Sequence, residues 1–428
     1  MTKLRSSLPA GRWVLSGLAL LLLCAVAITP LLRSESPCTH DGAFHYYRVV
    51  AMRHALEEGL LFTRWLPDLA FGFGYPFFNY RAPLSYYLAL GLYLTNLPLP
   101  LALDLVYVLS VLGCALGAYL LARDLFGAWA GVVAAVAYAY APYQFLDALL
   151  RANAPESLAL ALMPFVLWAF RRLTLRGGRW WFLSAAGSLA ALYLTHNISS
   201  LIFTPLLLAY LALLAWTYRG RGRWGWVVLA LGLALGLTAF LWLPALVEKG
   251  YVQLHMSRVT RNNDFHYNFL GLAEIFAPPA AVNTSLMNPP MEVHLGLVLA
   301  LLAVAGLALG LIRLRGREER ANLTFFAASA VVFIFMSTGA SVWIWEHVPL
   351  LPFAQFPWRF VGRAALPAAL LTGALFPSLR SSSAARRSSL LVALFLPLVV
   401  CLLIVTALPS TYPPLGYCPT AEYPTVEE

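Results

Sequence analysis

Thr39-His40-Asp41-Gly42-Ala43-Phe44-His45-Tyr46-Tyr47-Arg48 follows closely on the apolar run Trp13–Leu32. A stretch long enough to span a bilayer thus delivers an acid, two histidines and an arginine to a membrane face. Asp41 and His45 are four apart, and His45 and Arg48 three apart, so a helix would set these side chains on one face. The rest of the chain reads as a cage of helices around that face.

Composition agrees. Hydrophobic residues make up 61% of the 428 and charged residues 11%, with a mean hydropathy of +0.73. Soluble domains carry about 25% charged residues. The chain therefore reads as an all-α polytopic membrane protein. Its apolar runs are continuous rather than alternating, which excludes a β-barrel. The net charge of +10 is no nucleic-acid signal, because the basic residues sit in short clusters between apolar runs. Those clusters orient the chain and attract anionic lipid. Trp13–Leu32 has no small-residue cleavage site after it and reads as a retained first span. Cys24, Cys114 and Cys401 fall inside apolar runs and read as packing residues. Cys38 and Cys418 fall in polar segments, where a disulfide between them is one possibility.

The further runs are Leu101–Ala122, Ala128–Ala141, Leu158–Phe170, Trp180–Leu194, Ile198–Tyr218, Trp224–Val247, His294–Ile312, Leu323–Thr338, Ala364–Phe376 and Leu390–Leu408. Pro83–Leu97 is weaker. The arginine clusters around Arg171–Arg179, Arg219–Arg223, Arg313–Arg320 and Arg380–Arg387 all belong inside. They come out inside only if Pro83–Leu97 does not cross, so it is expected as a re-entrant or interfacial helix. About eleven crossings follow, with the N-terminus cytoplasmic and the C-terminus outside. The whole chain is one integral membrane domain. Residues 33–82 are the first outer loop with interfacial helices, 248–293 a second large outer loop, and 409–428 an outer tail. No internal repeat of fixed period is visible, which counts against an inverted-repeat transporter.

Under this orientation most chemically interesting polar residues face outward. Asp41, with His40 and His45, reads as a general base or as a ligand of a divalent metal such as Mg or Mn. The alternative is a helix N-cap at Asp41. Arg151-Ala152-Asn153-Ala154-Pro155-Glu156 reads as an anion clamp with a partner acid, or as a polar turn with an Arg–Glu pair; Asp147, one turn earlier, is a further partner open to Arg151. His196 and Asn197 interrupt two apolar runs, as a functional break or a capped turn. Between residues 248 and 294 most charges read as solvated, in a segment that can close as a lid. Glu248, at a span mouth, is the candidate there. Arg359 and Arg363, beside Trp358, fit either a phosphate clamp or anchorage to headgroups.

Thr39-His40-Asp41…His45, Phe73-Gly74-Tyr75-Pro76…Tyr80-Arg81-Ala82-Pro83-Leu84-Ser85-Tyr86-Tyr87, Arg151…Asn153-Ala154-Pro155-Glu156 and Leu194-Thr195-His196-Asn197 together carry a resemblance. The chain resembles bacterial membrane proteins called 6-pyruvoyl-tetrahydropterin synthase-related. No three-histidine zinc cluster supports pterin chemistry. More broadly it resembles the glycosyltransferase C superfamily, polytopic enzymes that use polyprenyl-phosphate sugars. In those enzymes the first outer loop carries an essential acid, and Asp41 matches that position. The Tyr80–Tyr87 run is similar to the Lys-Pro-Pro-Leu-x-Tyr-Trp run of lipid-A aminoarabinose transferases, so by that similarity Arg81 stands where a lysine meets the donor phosphate. Many members carry a soluble outer C-terminal domain where this chain has a short tail, which favours a small, lipid or glycan acceptor over a protein.

The resemblance implies a glycosyltransferase of the bacterial inner membrane, with its site on the outer side. It would move a sugar from a polyprenyl-phosphate donor to an outer-face acceptor. Asp41, His45 and Glu156 are then the catalytic candidates. His40, Arg81, Arg151, Asn153, His196, Asn197, Glu248 and Arg359 are the substrate-binding ones, and Asp41 and His45 the metal ligands. The rivals are a transporter or flippase of a lipid-linked sugar, and a non-catalytic scaffold. Spans nearly free of charge count against ion-coupled transport.

Overall fold

Every apolar run forms helix. The computed structural model describes residues 10–32, 39–253, 260–281, 283, 289–377 and 382–411. Cys38, Cys418 and His255 lie outside these residues, and so does the expected disulfide. The first run is α1 (Ala10–Ile28), and the charged stretch after it opens α2 (Gly42–Glu57). Two short helices, α3 (Phe77–Tyr80) and α4 (Leu84–Tyr93), lead into α5 (Leu99–Leu125). At about 1.5 Å per residue, α4 is about half as long as a ~30 Å hydrocarbon core is thick.

Next come α6 (Ala128–Ala139), α7 (Pro142–Phe145), α8 (Ala154–Arg176), α9 (Arg179–Tyr193) and α10 (Asn197–Tyr218). The chain continues through α11 (Trp224–Leu237), α12 (Ala239–Val247), α13 (Leu272–Ile275), α14 (Leu297–Arg313) and α15 (Arg317–Met336). It ends with α16 (Val342–His347), α17 (Arg359–Gly373) and α18 (Ser382–Thr411). Among the described residues, five helices are long and apolar enough to cross a membrane unaided: α5, α8, α10, α15 and residues 393–411 of α18. The expected eleven runs also include α1, α6, α9, α14 and α17, which have 19, 12, 15, 17 and 15 residues. Helices this short span the core only where it is thinned or flanked by snorkelling side chains.

Trp224–Val247, expected as one span, is two helices bent by 65°. The Trp242 indole donates to the Leu235 carbonyl at 3.0 Å. That carbonyl would otherwise accept from the amide four residues on, and a side chain inserted into the ladder is a recognised cause of a kink. Thr238 takes the Ala234 carbonyl with its hydroxyl at 2.9 Å.

The core is set by α17, whose fifteen residues are all buried. Small residues let it be surrounded. A Cβ on Gly306 of α14 would lie 1.9 Å from the Leu371 carbonyl oxygen, and one on Gly373 would lie 2.6 Å from that of Ala130. Such close approach substitutes dispersion contact for a hydrophobic drive that lipid does not supply. Cys24 and Cys114 pack in the core as expected, whereas Cys401 is exposed on α18.

The two ends of the bundle differ chemically. At one end the arginine clusters meet: Arg171 bonds Glu318, Arg172 bonds Asp124, Arg223 N reaches the Thr174 carbonyl at 3.0 Å, and Arg317 lies over Trp216. At the other end α2 buries Tyr46, Val49, Val50 and Met52. In the segment at 260–276 the charges of Arg261, His266 and Glu274 are exposed as expected, while Phe265 and Ile275 are buried. Phe265 stacks on Trp345 with centroids 5.4 Å apart, and Leu270 N donates to the Ser337 carbonyl at 2.9 Å.

Candidate functional site

The site is built where α8 begins. Leu146–Leu150 forms one π-helical turn, a geometry common at functional positions. Ala152 then adopts a left-handed φ of +57°, a conformation that costs a residue with a Cβ about 1 kcal/mol or more. This turn presents the Leu150 and Arg151 carbonyls outward. They accept from His40 N at 3.1 Å and Asp41 N at 2.9 Å, so the start of α2 is tied to the start of α8. Asn153 caps α8, accepting from Glu156 N at 3.0 Å.

Asp41 precedes α2 without capping it through its side chain. Thr39 Oγ1 takes that place, accepting from Gly42 N at 3.2 Å. The Asp41 carboxylate, 39% exposed, instead lies 3.6 Å from Arg151 Nε. The N-cap alternative therefore gives way to an ion pair.

Arg151 is the hub of a buried network. Its Nη1 donates to Asp147 at 2.9 Å and to Glu156 at 2.7 Å. Glu156, wholly buried, also accepts from Tyr143 OH at 2.8 Å and from Arg363, and it lies 3.3 Å from Arg359 Nε as an ion pair. Three arginines thus face Asp41, Asp147 and Glu156, and the charges balance, as burial requires. Arg359 and Arg363 are 3% and 2% exposed, which corrects the headgroup-anchor alternative. Arg359 is further held by the Ala354 carbonyl at 2.8 Å.

The network continues to His196. Arg363 donates to Ser199 Oγ, which lies 2.7 Å from His196 Nδ1. With its oxygen accepting from the guanidinium, the hydroxyl donates to Nδ1, leaving a neutral His196 protonated on Nε2. Asn197 clamps the backbone on both sides of Arg81: its amide oxygen accepts from Ala82 N and its amide nitrogen donates to the Tyr80 carbonyl, both at 3.0 Å. Arg81 itself is exposed.

Other expected residues go elsewhere. His45 is buried 3.0 Å from Tyr86 OH and 3.4 Å from Arg48 Nη1. Burial, then the guanidiniums of Arg48 and Arg151, hold its ring well below the ordinary imidazole range. His40 Nε2 meets the Pro289 carbonyl at 2.9 Å. Glu248 accepts from Arg64 at 2.7 Å and Asn79 at 2.8 Å, fastening α12 to the first outer loop. These two donors draw its carboxyl below the usual range.

A divalent metal fits this arrangement poorly. Among the described residues no group of three or more His, Cys, Asp or Glu could hold one. Asp41 already faces a guanidinium, and His45 Nδ1 is engaged by Tyr86. Sequence reasoning missed Tyr143 and Ser199, and it did not pair Trp358 with Arg151, which lies over that ring at 5.1 Å. Ser199 carried one legible signal, its position three residues after His196.

Residues 78–413 match the profile of the 6-pyruvoyl-tetrahydropterin synthase related domain, a membrane-protein family. An uncharacterized protein of Lactococcus lactis subsp. cremoris (strain MG1363) is 24% identical over 237 residues, covering 53% of this chain but only 38% of the relative. Among solved structures, ArnT from Cupriavidus metallidurans bound to undecaprenyl phosphate is similar with a TM-score of 0.57 at 15% identity, over 94% of this chain and 76% of that one. Archaeoglobus fulgidus oligosaccharyltransferase AglB, in complex with an inhibitory peptide and a dolichol-phosphate, gives 0.54 at 13% identity over 95% and 57%. Mycobacterial arabinofuranosyltransferase AftD gives 0.51 at 19% identity over 95% and 27%. These likenesses show that the chain shares the fold of these three proteins.

Proposed function

The chain belongs to the 6-pyruvoyl-tetrahydropterin synthase related family of membrane proteins, and from that premise we propose that it is a glycosyltransferase. It takes a sugar from a polyprenyl-phosphate donor and places it on an acceptor at the outer membrane face. The observation that carries this reading is the half-exposed Asp41 carboxylate held 3.6 Å from Arg151, at the one corner of an otherwise buried charge network that substrate can reach.

In this mechanism the acceptor hydroxyl gives its proton to Asp41. Its oxygen attacks the anomeric carbon as the bond from that carbon to the phosphate oxygen breaks, and polyprenyl phosphate leaves. Arg151 holds Asp41 in place across their ion pair. Glu156 and Asp147 hold Arg151 in place, so Glu156 positions cations rather than moving a proton. Arg81, exposed and with its backbone fixed by Asn197, meets the leaving phosphate. His196, anchored through Nδ1, offers an N–H at Nε2 to a sugar oxygen. The poor fit of the residues to a metal leaves no step to route through one.

The test uses the full chain in nanodiscs with a panel of radiolabelled polyprenyl-phosphate sugars. Donor consumption is expected from the native protein and should fall roughly 10²-fold or more in Asp41→Asn, the scale of a lost general base. Equal donor binding with no consumption by either form overturns the reading and leaves a transporter or scaffold.

A further inference from the structure

Behind His40 lies a cavity that the proposed chemistry does not use. Its volume is about 100 Å³, and Leu150, Pro290, Glu292 and His294 are among its walls. It shares Pro142 with a second cavity of about 270 Å³, walled by apolar residues of α6, α14 and α18, including Ala137, Val298 and Leu403. The two also meet along consecutive residues, His294 with Leu295 and Ser410 with Pro409.

The first cavity adjoins the site through hydrogen bonds of His40. His40 N bonds the carbonyl of Leu150, and His40 Nε2 meets the carbonyl of Pro289, next to Pro290. The space therefore begins at Leu150, whose carbonyl holds the residue preceding Asp41, and runs in among the helices. Its lining is graded. The near end offers an acid, an imidazole and the Ser410 hydroxyl, and the far end is almost wholly apolar. An apolar space of this size does not hold water well, and α18, which walls it, is only 17% buried across its span. What can fill it from the bilayer is a hydrocarbon chain. No arginine or lysine is among its described lining residues. A phosphate head would find no cation among them, whereas the Arg151 guanidinium is turned to Asp41, Asp147 and Glu156.

Resting on the glycosyltransferase reading, we infer that the acceptor is a non-phosphorylated amphiphile. Its hydrocarbon chain lies in the cavity between α6, α14 and α18, and its hydroxylated head emerges at His40 beside Asp41. The donor lipid then lies outside this cavity. The acceptor hydroxyl arrives at Asp41 from one side and the donor phosphate from the Arg81 side, the opposed approach that direct displacement needs.

The test reads occupancy rather than turnover, so its outcome is separable from that of the transferase reading. Full-length protein in phosphatidylcholine nanodiscs is photolysed with one of three probes carrying a chain-terminal diazirine: a dodecyl glycoside, a polyprenyl phosphate or a phosphatidylcholine. The glycoside should label residues 295–299 and 403–409 at least tenfold above the other two. That labelling should fall tenfold in Val298→Trp and Thr406→Trp, which narrow the cavity, and persist in Leu398→Trp, on the exposed face of α18. Unchanged labelling by the phosphatidylcholine probe in the two filling variants shows that they still fold. Preferential labelling by the polyprenyl phosphate would assign the cavity to the donor and overturn the inference. Equal labelling by all three would reduce the cavity to ordinary lipid contact, and no labelling would overturn it outright.

Discussion

At the scale of single residues, the site rests on a division of labour among carboxylates set by exposure. Asp41 is 39% exposed with one cation 3.6 Å away, whereas Glu156 is 0% exposed with three arginines around it. Removing one member of a buried ion network leaves the others uncompensated, at a cost of about 3–5 kcal/mol. Glu156→Gln should therefore lower the thermal unfolding midpoint sharply in detergent, while Asp41→Asn leaves it almost unchanged and abolishes donor consumption. A Glu156→Gln protein as stable as the native one would remove the positioning role. Arg151→Lys retains the charge but not the fork that sets Nε against Asp41 while Nη1 reaches Asp147 and Glu156. Donor consumption should drop with little change in donor binding, as a split of kcat from KM would show. Asp41, Arg151 and Glu156 were legible in sequence as polar residues at the ends of apolar runs. Their partnership with Arg363 was not, because 207 residues separate Arg363 from Glu156. Only the packing of α17 against the start of α8 brings them together.

At the scale of elements, helix existence followed from apolar periodicity, and the exceptions have local causes. The break between α11 and α12 comes from a tryptophan bonding back to its own helix, which hydropathy cannot register. The segment at 260–276 carried charges that pointed to solvent, yet Phe265 and Trp345 hold it against α15 and α16. Its polar link is His266, 2.6 Å from Asp264 and 3.3 Å from Glu346. Partial burial opposes protonation, but the hydrogen bonds to these two carboxylates outweigh it and raise the ring above its ordinary value of 6.5. A raised folded value means that the stabilisation is full below about 6.5 and is lost as pH climbs through that raised value. Amide exchange across 260–268 should quicken relative to the rest of the chain over that range, and His266→Ala should erase the difference. At an exposed pair the effect is small. The contact of α14 with α17 gives a larger one. Gly306→Ala drives a methyl into the Leu371 carbonyl and should cost about 1–3 kcal/mol by overpacking. Gly232→Ala, with open space at its Cβ, should be neutral or slightly stabilising in the same thermal assay.

For the whole molecule, the argument turns on which end faces which side. Helix α8 starts in the ion network at Glu156 and reaches the arginine end at Arg171, where Glu318 meets it. Those fifteen residues amount to roughly 22 Å along the helix, most of a hydrocarbon core. Helix α10 repeats the pattern, with His196 and Ser199 at the site end and Tyr218 leading into Arg219-Gly220-Arg221-Gly222-Arg223 at the other. Basic loops are retained on the cytoplasmic side, and on that ground we propose that the Asp41 end opens outward, as a donor presented at the outer face requires. Single cysteines in an otherwise cysteine-free chain would check this in intact cells with a membrane-impermeant maleimide. Arg81→Cys, exposed at the site end, should label at once, and Arg221→Cys only after permeabilisation. The reverse pattern would place the site in the cytoplasm, where a donor displayed on the outer leaflet could not reach Asp41. The glycosyltransferase reading would then need a cytoplasmic sugar source.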